Sequence, residues 1–377
     1  MSKKNKKIRT EFRKNHESRV RPGDLTREFQ RDGDQLHDLG NTERVSGKGD
    51  LTRKRTVIGR ADDNANSTFN ISPHVDADQC LPGRVLQVFG LESVVRLHDG
   101  REIRCAVRRL LKSLSTDQRH VVAAGDHVWI RPEGAKEGFI ERIEPRRNIL
   151  SRTSKGRRHV IVANVDQVVI VASAAQPSLK PNLIDRYFLT AEKMGARSIL
   201  CINKIDLIDP AEIQPLLGVY GQLGYEILAV SATTGFGVER LKRRLADCES
   251  VITGQSGVGK SSLLNAVEPN LALRVREVSQ ENEKGKHTTT TAVLIPLAFG
   301  GYVVDTPGIR QFQLWGVIAE ELAGYFRDIR PYVNRCRFPN CSHTHELDCA
   351  VKNAVADGRL DARRYDSYCH LHAGDDN

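Results

Sequence analysis

Short runs that alternate apolar and polar positions begin at residue 84. Five of them, at 84–89, 93–97, 102–107, 127–131 and 139–143, are rich in Val and Ile, and a period of two predicts half-buried strands. Turn signals separate them: Asp99-Gly100, Gly125-Asp126, and a Pro- and Gly-containing stretch at 132–138. Five short strands in so few residues predict a small barrel over 80–150. An OB-type barrel is the natural candidate, and an SH3-like barrel reads the same way.

Farther along, the period switches. Strand-like 167–172 precedes helix-like 183–194, strand-like 198–202 precedes a helix around 211–223, and strand-like 226–230 precedes a helix near 238–246. A strand at 250–253, a helix at 260–267 and strands at 292–297 and 302–304 follow. Strands alternating with helices predict a doubly wound α/β domain over 151–330, with a mostly parallel sheet. Residues 350–372 read as helical, within a C-terminal domain at 331–377. Residues 1–79 carry no hydrophobic period and are rich in Lys, Arg, Asp, Asn, Gly and Ser, which predicts a basic disordered arm.

Charge sharpens this division. The 377 residues carry a formal +10, distributed as +8 on 1–60, −4 on 61–79, +4 on 80–150 and +2 on 151–377. The excess lies toward the N-terminal half, where a polyanion such as RNA would be met. The arm is then either an RNA contact or a solubilising tail. Arg146, Arg147, Arg152, Lys155, Arg157 and Arg158 fall on a linker at 146–160, a further candidate for phosphate-backbone contact. Trp129 and Phe139 are candidates for base stacking or for the barrel core.

No run of about 18 apolar residues occurs, which excludes a membrane-spanning helix. The first 25 residues are basic without an apolar stretch, so no secretory signal is expected. A cytoplasmic, monomeric protein without a membrane partner follows as the expectation. In a reducing compartment, clustered cysteines point to a metal rather than to disulfides.

The candidate chemistry starts at Gly254-Gln255-Ser256-Gly257-Val258-Gly259-Lys260-Ser261-Ser262. This matches the phosphate-loop pattern in full, after an apolar strand and before a helix. Its glycines let backbone N–H groups wrap the phosphates at a helix N-terminus. Lys260 would reach the β/γ-phosphates, and the Ser261 hydroxyl would bind Mg²⁺. Asp305-Thr306-Pro307-Gly308 ends an apolar strand; Asp305 would hold Mg²⁺, usually through water, and the Gly308 N–H would meet the γ-phosphate. Asn203-Lys204-Ile205-Asp206 ends another strand. A buried Asp206 carboxylate would accept guanine N1–H and the 2-amino group, a donor pair that adenine lacks. Asn203 would frame the base, Lys204 would pack on its face, and Ser231-Ala232 would offer a backbone N–H to guanine O6.

The order of these motifs is the informative part. Ordinary small GTPases run from phosphate loop to base motif, whereas here the base motif at 203 and Ser231-Ala232 precede the loop at 254. The set is complete but rotated, which predicts a circular permutation, tolerable because domain termini lie at the surface and are often close together. With this order, the nine-residue loop 254–262, the segment Gly285–Thr290 and the cysteine cluster below, the chain resembles the circularly permuted, small-ribosomal-subunit-dependent GTPases of the RsgA (YjeQ) family. The resemblance covers 80–370 and leaves the arm outside it. It implies an OB-fold, a permuted GTPase domain and a zinc domain. It also implies a role in late maturation of the 30S subunit, with 16S rRNA and neighbouring ribosomal proteins as partners.

Lys286-His287-Thr288-Thr289-Thr290-Thr291 sits between the loop helix and Asp305. A switch threonine there, taken as Thr289, should ligate Mg²⁺ and sense the γ-phosphate. The residue after Gly308 is Ile309, which cannot orient water as the glutamine of Ras-like enzymes does. His287 is the candidate replacement, because a neutral imidazole can accept a proton or position water; a solvated histidine without a role is the alternative. Slow intrinsic hydrolysis, raised when the ribosome orders the switches, is the expectation.

Cys336, Cys341, His343 and Cys349 pack three thiols and an imidazole into 14 residues. Cys₃His is a closed, tetrahedral structural zinc set, with His345 as a competing ligand. Cys80, Cys105, Cys201, Cys248 and Cys369 are scattered, and Cys105 and Cys201 fall in strands as core residues. For Arg359, Arg363 and Arg364 of the helical tail, a cap on the GTPase domain and an RNA contact both stand. The leading reading is a GTPase whose GTP form binds the 30S subunit and whose hydrolysis promotes release. The alternative is an RNA-binding assembly chaperone that uses GTP only as a structural or regulatory ligand.

Overall fold

The computed structural model describes residues 6–11, 54–61, 71–73, 79–108, 111, 121–154, 157–273, 292–305 and 318–374. Strands β1 (Lys6–Glu11), β2 (Lys54–Ala61) and β3 (Ile71–Pro73) pair antiparallel in the order β1-β2-β3. They lie inside 1–79, where composition predicted no ordered element. Composition over a long window hides short β-branched runs, here Thr56-Val57-Ile58 paired opposite Lys7-Ile8-Arg9.

The barrel follows. Strands β4 (Leu81–Phe89), β5 (Glu92–Leu97), β6 (Glu102–Val107), β7 (His127–Glu133) and β8 (Glu137–Ile143) run in the order β4-β5-β6-β8-β7. β7 pairs back onto β4 and closes the barrel, and only the β6–β8 pair is parallel. Inward positions alternate along each strand and fill the core with Val85, Val95, Ile103, Cys105, Ile130 and Ile140. Burial pushes the Cys105 thiol up to about 12, so it behaves as a small apolar group. Trp129 and Phe139 are half-buried and lie outside this core, covered by Arg142 and Arg131 at 5.2 and 5.9 Å from their ring centres.

The expected linker at 146–160 is instead the hairpin of β9 (Ile149–Ser154) and β10 (Arg157–Ala163). Its apolar ends, Leu150 and Val162, are 2% and 0% exposed in the main core, which outweighs the basic middle. Arg146 is fully buried and pairs with Asp126 at 2.6 Å, so it serves the barrel wall rather than a phosphate.

The α/β domain contains β11 (Gln167–Ser173), α1 (Pro181–Met194), β12 (Arg197–Asn203), α2 (Gln214–Gln222), β13 (Glu226–Ala229), α3 (Val238–Leu245), β14 (Glu249–Thr253), α4 (Lys260–Val267), β15 (Val293–Pro296) and β16 (Tyr302–Asp305). Sheet order is β13-β12-β11-β14-β16-β15, parallel except for β15. β11 is buried along its whole length, as a parallel strand covered on both faces must be. Val168 and Ile170 join one core, and Val169 and Val171 join the other. A single pairing, Val293 with Gln87, joins β15 to β4 and fuses sheet and barrel into eleven strands.

Four helices complete the fold: α5 (Ala319–Tyr325), α6 (Arg330–Val333), α7 (Ala350–Ala356) and α8 (Ala362–Ala373). Leu322, Phe326, Ile329, Val351 and Tyr368 share a core with Leu189 of α1. Residues 319–329 therefore pack with the C-terminal helices, although the sequence division placed them in the α/β domain. No helix among the described residues is long and apolar enough to cross a membrane.

Candidate nucleotide site and Cys/His centre

β14 ends at Thr253, and the loop 254–259 leads into α4 at Lys260. A Cβ on Gly254 would lie 2.0 Å from the Val171 carbonyl oxygen, so only glycine lets the loop leave the sheet this closely. Gly259 holds φ +89, and a Cβ there would come 2.5 Å from Asn203 Nδ2. The Lys260 ammonium donates to the carbonyls of Gly254 and Gln255 at 2.8 and 2.7 Å, which lays it over the loop. Gln255, Ser256, Gly257 and Val258 complete the loop, and Ser261 and Ser262 follow in the first turn of α4.

Asn203, at the end of β12, is 1% exposed. Its Nδ2 donates to the Val258 carbonyl at 2.9 Å, and its Oδ1 accepts from the Ala232 N–H at 3.2 Å. One side chain thus ties together the phosphate loop, 55 positions away, and the Ser231-Ala232 turn, 29 positions from it at Ala232. Ser231 Oγ accepts from the Thr234 N–H at 3.1 Å and holds that turn. Lys204 occupies the left-handed region at φ +62, a conformation that costs a non-glycine residue about 1–2 kcal/mol. Its ammonium donates to the Gly257 carbonyl at 2.9 Å and to the Gln176 carbonyl. Asp206, expected to be buried, is exposed in the 3₁₀ turn Ile205–Leu207. A penalty against adenine then arises only when a base covers the carboxylate.

Asp305 closes β16, which runs parallel to β14 and ends on the same edge of the sheet as the loop. Its side chain lies outside the described residues, as do His287, Thr289, Gly308 and Ile309.

The second centre is built at Cys336, Cys341, His343 and Cys349, whose ligand atoms all lie within 4.8 Å of one another. Cys336 Sγ is 3.8 Å from Cys349 Sγ, and His343 Nδ1 is 3.4 and 3.6 Å from these two sulfurs. A tetrahedral ion with Zn–S of ~2.3 Å and Zn–N of ~2.0 Å requires separations of about 3.8 Å between sulfurs and about 3.5 Å from sulfur to nitrogen. The donor set and its spacing fit zinc. His345 is outside the cluster, with a side chain 82% exposed. His343 takes φ +62, and its carbonyl accepts from Tyr365 Oη at 2.8 Å, while the Ser342 carbonyl accepts from Tyr368 Oη at 2.7 Å. These backbone anchors orient the ligands.

Sequence reasoning named Arg364 as a possible cap but missed the residues it meets. Asp185 of α1 is fully buried and takes bonds from Tyr220 Oη at 2.9 Å and from Arg364. Arg364 also pairs with both oxygens of Asp328 at 2.9 and 3.0 Å. Arg364 is therefore a cap contact, whereas Arg359 and Arg363 are exposed and pair with Asp357 and Asp361. The signal was present: Asp185 interrupts the apolar face of Leu183, Ile184, Tyr187 and Phe188, and a charge there needs a partner.

A sequence profile described as RsgA GTPase matches residues 143–315. The small ribosomal subunit biogenesis GTPase RsgA of Chlorobaculum parvum is 40% identical over 306 residues, which span 78% of this chain and 98% of the relative. The chain belongs to the RsgA GTPase family. It is a GTPase. The RsgA of Ectopseudomonas mendocina is 44% identical over 276 residues, covering 72% of this chain and 78% of the relative. Among solved structures, YjeQ from Thermotoga maritima aligns with a TM-score of 0.65 at 34% identity, covering 78% of this chain and 98% of that one. YloQ, a circularly permuted GTPase, aligns with a TM-score of 0.63 at 31% identity, covering 80% and 96%. The rotated motif order of this RsgA-family chain matches that permuted architecture.

Proposed function

We propose that this GTPase acts in biogenesis of the small ribosomal subunit, binding the 30S particle in its GTP form and leaving it on hydrolysis. The Asn203 bridge between Val258 and Ala232 carries this reading, because it joins base motif and phosphate loop into one guanine-nucleotide site. Asn203, Lys204 and Asp206 take the base, together with the Ser231-Ala232 turn. Gly254 to Ser262 and Gly308 take the phosphates. Ser261, Thr289 and Asp305 hold Mg²⁺, which screens the phosphate charge when bound. Lys260 steadies the transferred phosphoryl group, and His287 positions water in place of the missing glutamine. The Cys₃His set holds one structural zinc. The protein acts as a cytoplasmic monomer.

GTP turnover measured with 30S, 50S and 70S particles across a salt series tests the assignment. Stimulation by 30S alone, lost steeply as salt rises, is expected for contacts to rRNA phosphates. Equal turnover with and without every particle would sink it.

A further inference from the structure

We propose that the Cys/His domain positions the guanine-base lysine, and that Ser367 and Asn182 are the positioning residues that carry the coupling. The proposal rests on the reading of Lys204 as a base contact.

The turn 174–180 is stapled to the base motif. The Ala174 N–H donates to the Asn203 carbonyl at 2.9 Å, and Ser173 Oγ donates to the Gln176 carbonyl at 3.0 Å. The Lys204 ammonium donates to that same Gln176 carbonyl and to the Gly257 carbonyl of the phosphate loop. The lysine stem is therefore held between two backbone segments, and the direction of its chain depends on where the turn sits.

The turn runs straight into α1. This helix starts without a side-chain cap at Lys180 and without an acidic residue in its first turn. Helix ends without such partners fray unless something outside holds them. Here α8 does so. Ser367 Oγ donates to Asn182 Oδ1 at 2.6 Å, at the second residue of α1. One turn farther, Arg364 of α8 meets Asp185. Ser367 and Asp185 are both fully buried, and Asn182 is half-buried. Tyr365 and Tyr368 of the same α8 hold the carbonyls of His343 and Ser342 in the ligand loop. Hydrogen bonds lead from the cysteine cluster through α8 to the start of α1, and the backbone between Asn182 and Gln176 carries the path on to Lys204. Because binding couplings are reciprocal, nucleotide in turn steadies the Cys/His domain.

The test uses the full chain and fluorescent GDP release, with inorganic tripolyphosphate as a competitor that reports the phosphate loop alone. Ser367→Ala and Asn182→Ala are each expected to speed GDP release about threefold to tenfold. Ser367 also hydrogen-bonds Asp185, so Ser367→Ala removes more than Asn182→Ala does, and the double variant should be no faster than Ser367→Ala alone. Tripolyphosphate inhibition should stay unchanged, and Asn182→Asp, which keeps the acceptor, should release GDP at the wild-type rate. Unchanged release in both singles, or equal weakening of GDP and tripolyphosphate, overturns the coupling while leaving the guanine site standing. A wild-type protein without preference for GDP over ADP overturns the guanine reading and the coupling with it.

Discussion

Asn203 shows how much a single side chain can be asked to hold. Its amide donates to Val258 and accepts from Ala232, and the space beside it is reserved by the absent Cβ of Gly259. Gly259→Ala would place a methyl 2.5 Å from Nδ2 at a φ of +89. We expect it to lower stability by about 1–3 kcal/mol through backbone strain and to abolish detectable GDP binding. Urea denaturation and equilibrium titration check the two effects separately. The pattern of glycines was legible from sequence because it follows the phosphate-loop spacing. The contact that makes Gly259 obligatory was not, since it joins residues 56 positions apart. The burial expected for Asp206 failed for a related reason. Its carboxylate stands exposed in the 3₁₀ turn, where burying a charge without a partner would be costly.

At the level of elements, nearly every strand and helix of the barrel and α/β domain was readable from periodicity, because each buries one face or both. The elements that escaped did so on charge. The β9–β10 hairpin carries Arg152, Arg157 and Arg158 and reads as a linker until its apolar ends are weighed. α8 was legible as a helix, but the choice between a cap and an RNA contact for its arginines was not: Arg364 is 2% exposed and braces Asp185 and Asp328. Removing one partner of a buried ion set strands the others. Arg364→Ala is expected to destabilise the protein by about 3–5 kcal/mol, read from the urea midpoint. A loss below about 1 kcal/mol would mean that the two aspartates find water or other donors.

Across the whole molecule, the barrel meets the nucleotide domain through charge as well as through β15. Arg84 of β4 pairs with Glu249 at the start of β14 and contacts His127 of β7. Asp166 joins them by accepting from the Glu249 N–H at 2.9 Å and pairing with Arg147 at 2.9 Å. Desolvation, then the Arg84 charge, push the His127 ring down from 6.5 to about 4. The unfolded ring takes its proton near 6.5, whereas the folded ring resists until about 4. The contribution is thus complete above pH 6.5 and is lost as pH falls toward 4. Stability measured from pH 7 to 4 should fall less steeply in His127→Gln than in the wild type. Parallel curves would remove His127 from the seam.

The placement of β11 has a consequence for how the chain is made. It is the first strand of its sheet to leave the ribosome, and the sheet grows outward from it, to β12 and β13 on one side and to β14, β16 and β15 on the other. One edge of β11 can be covered at once, while the other waits until Glu249–Thr253 has been synthesised. Since domains begin folding during synthesis, the half that carries the 203–206 motif is assembled before the half that carries the 254–262 loop. A nascent chain therefore cannot use nucleotide as a folding aid until the loop after β14 has emerged. By then the barrel has already been complete for 110 residues, from Ile143 to Thr253.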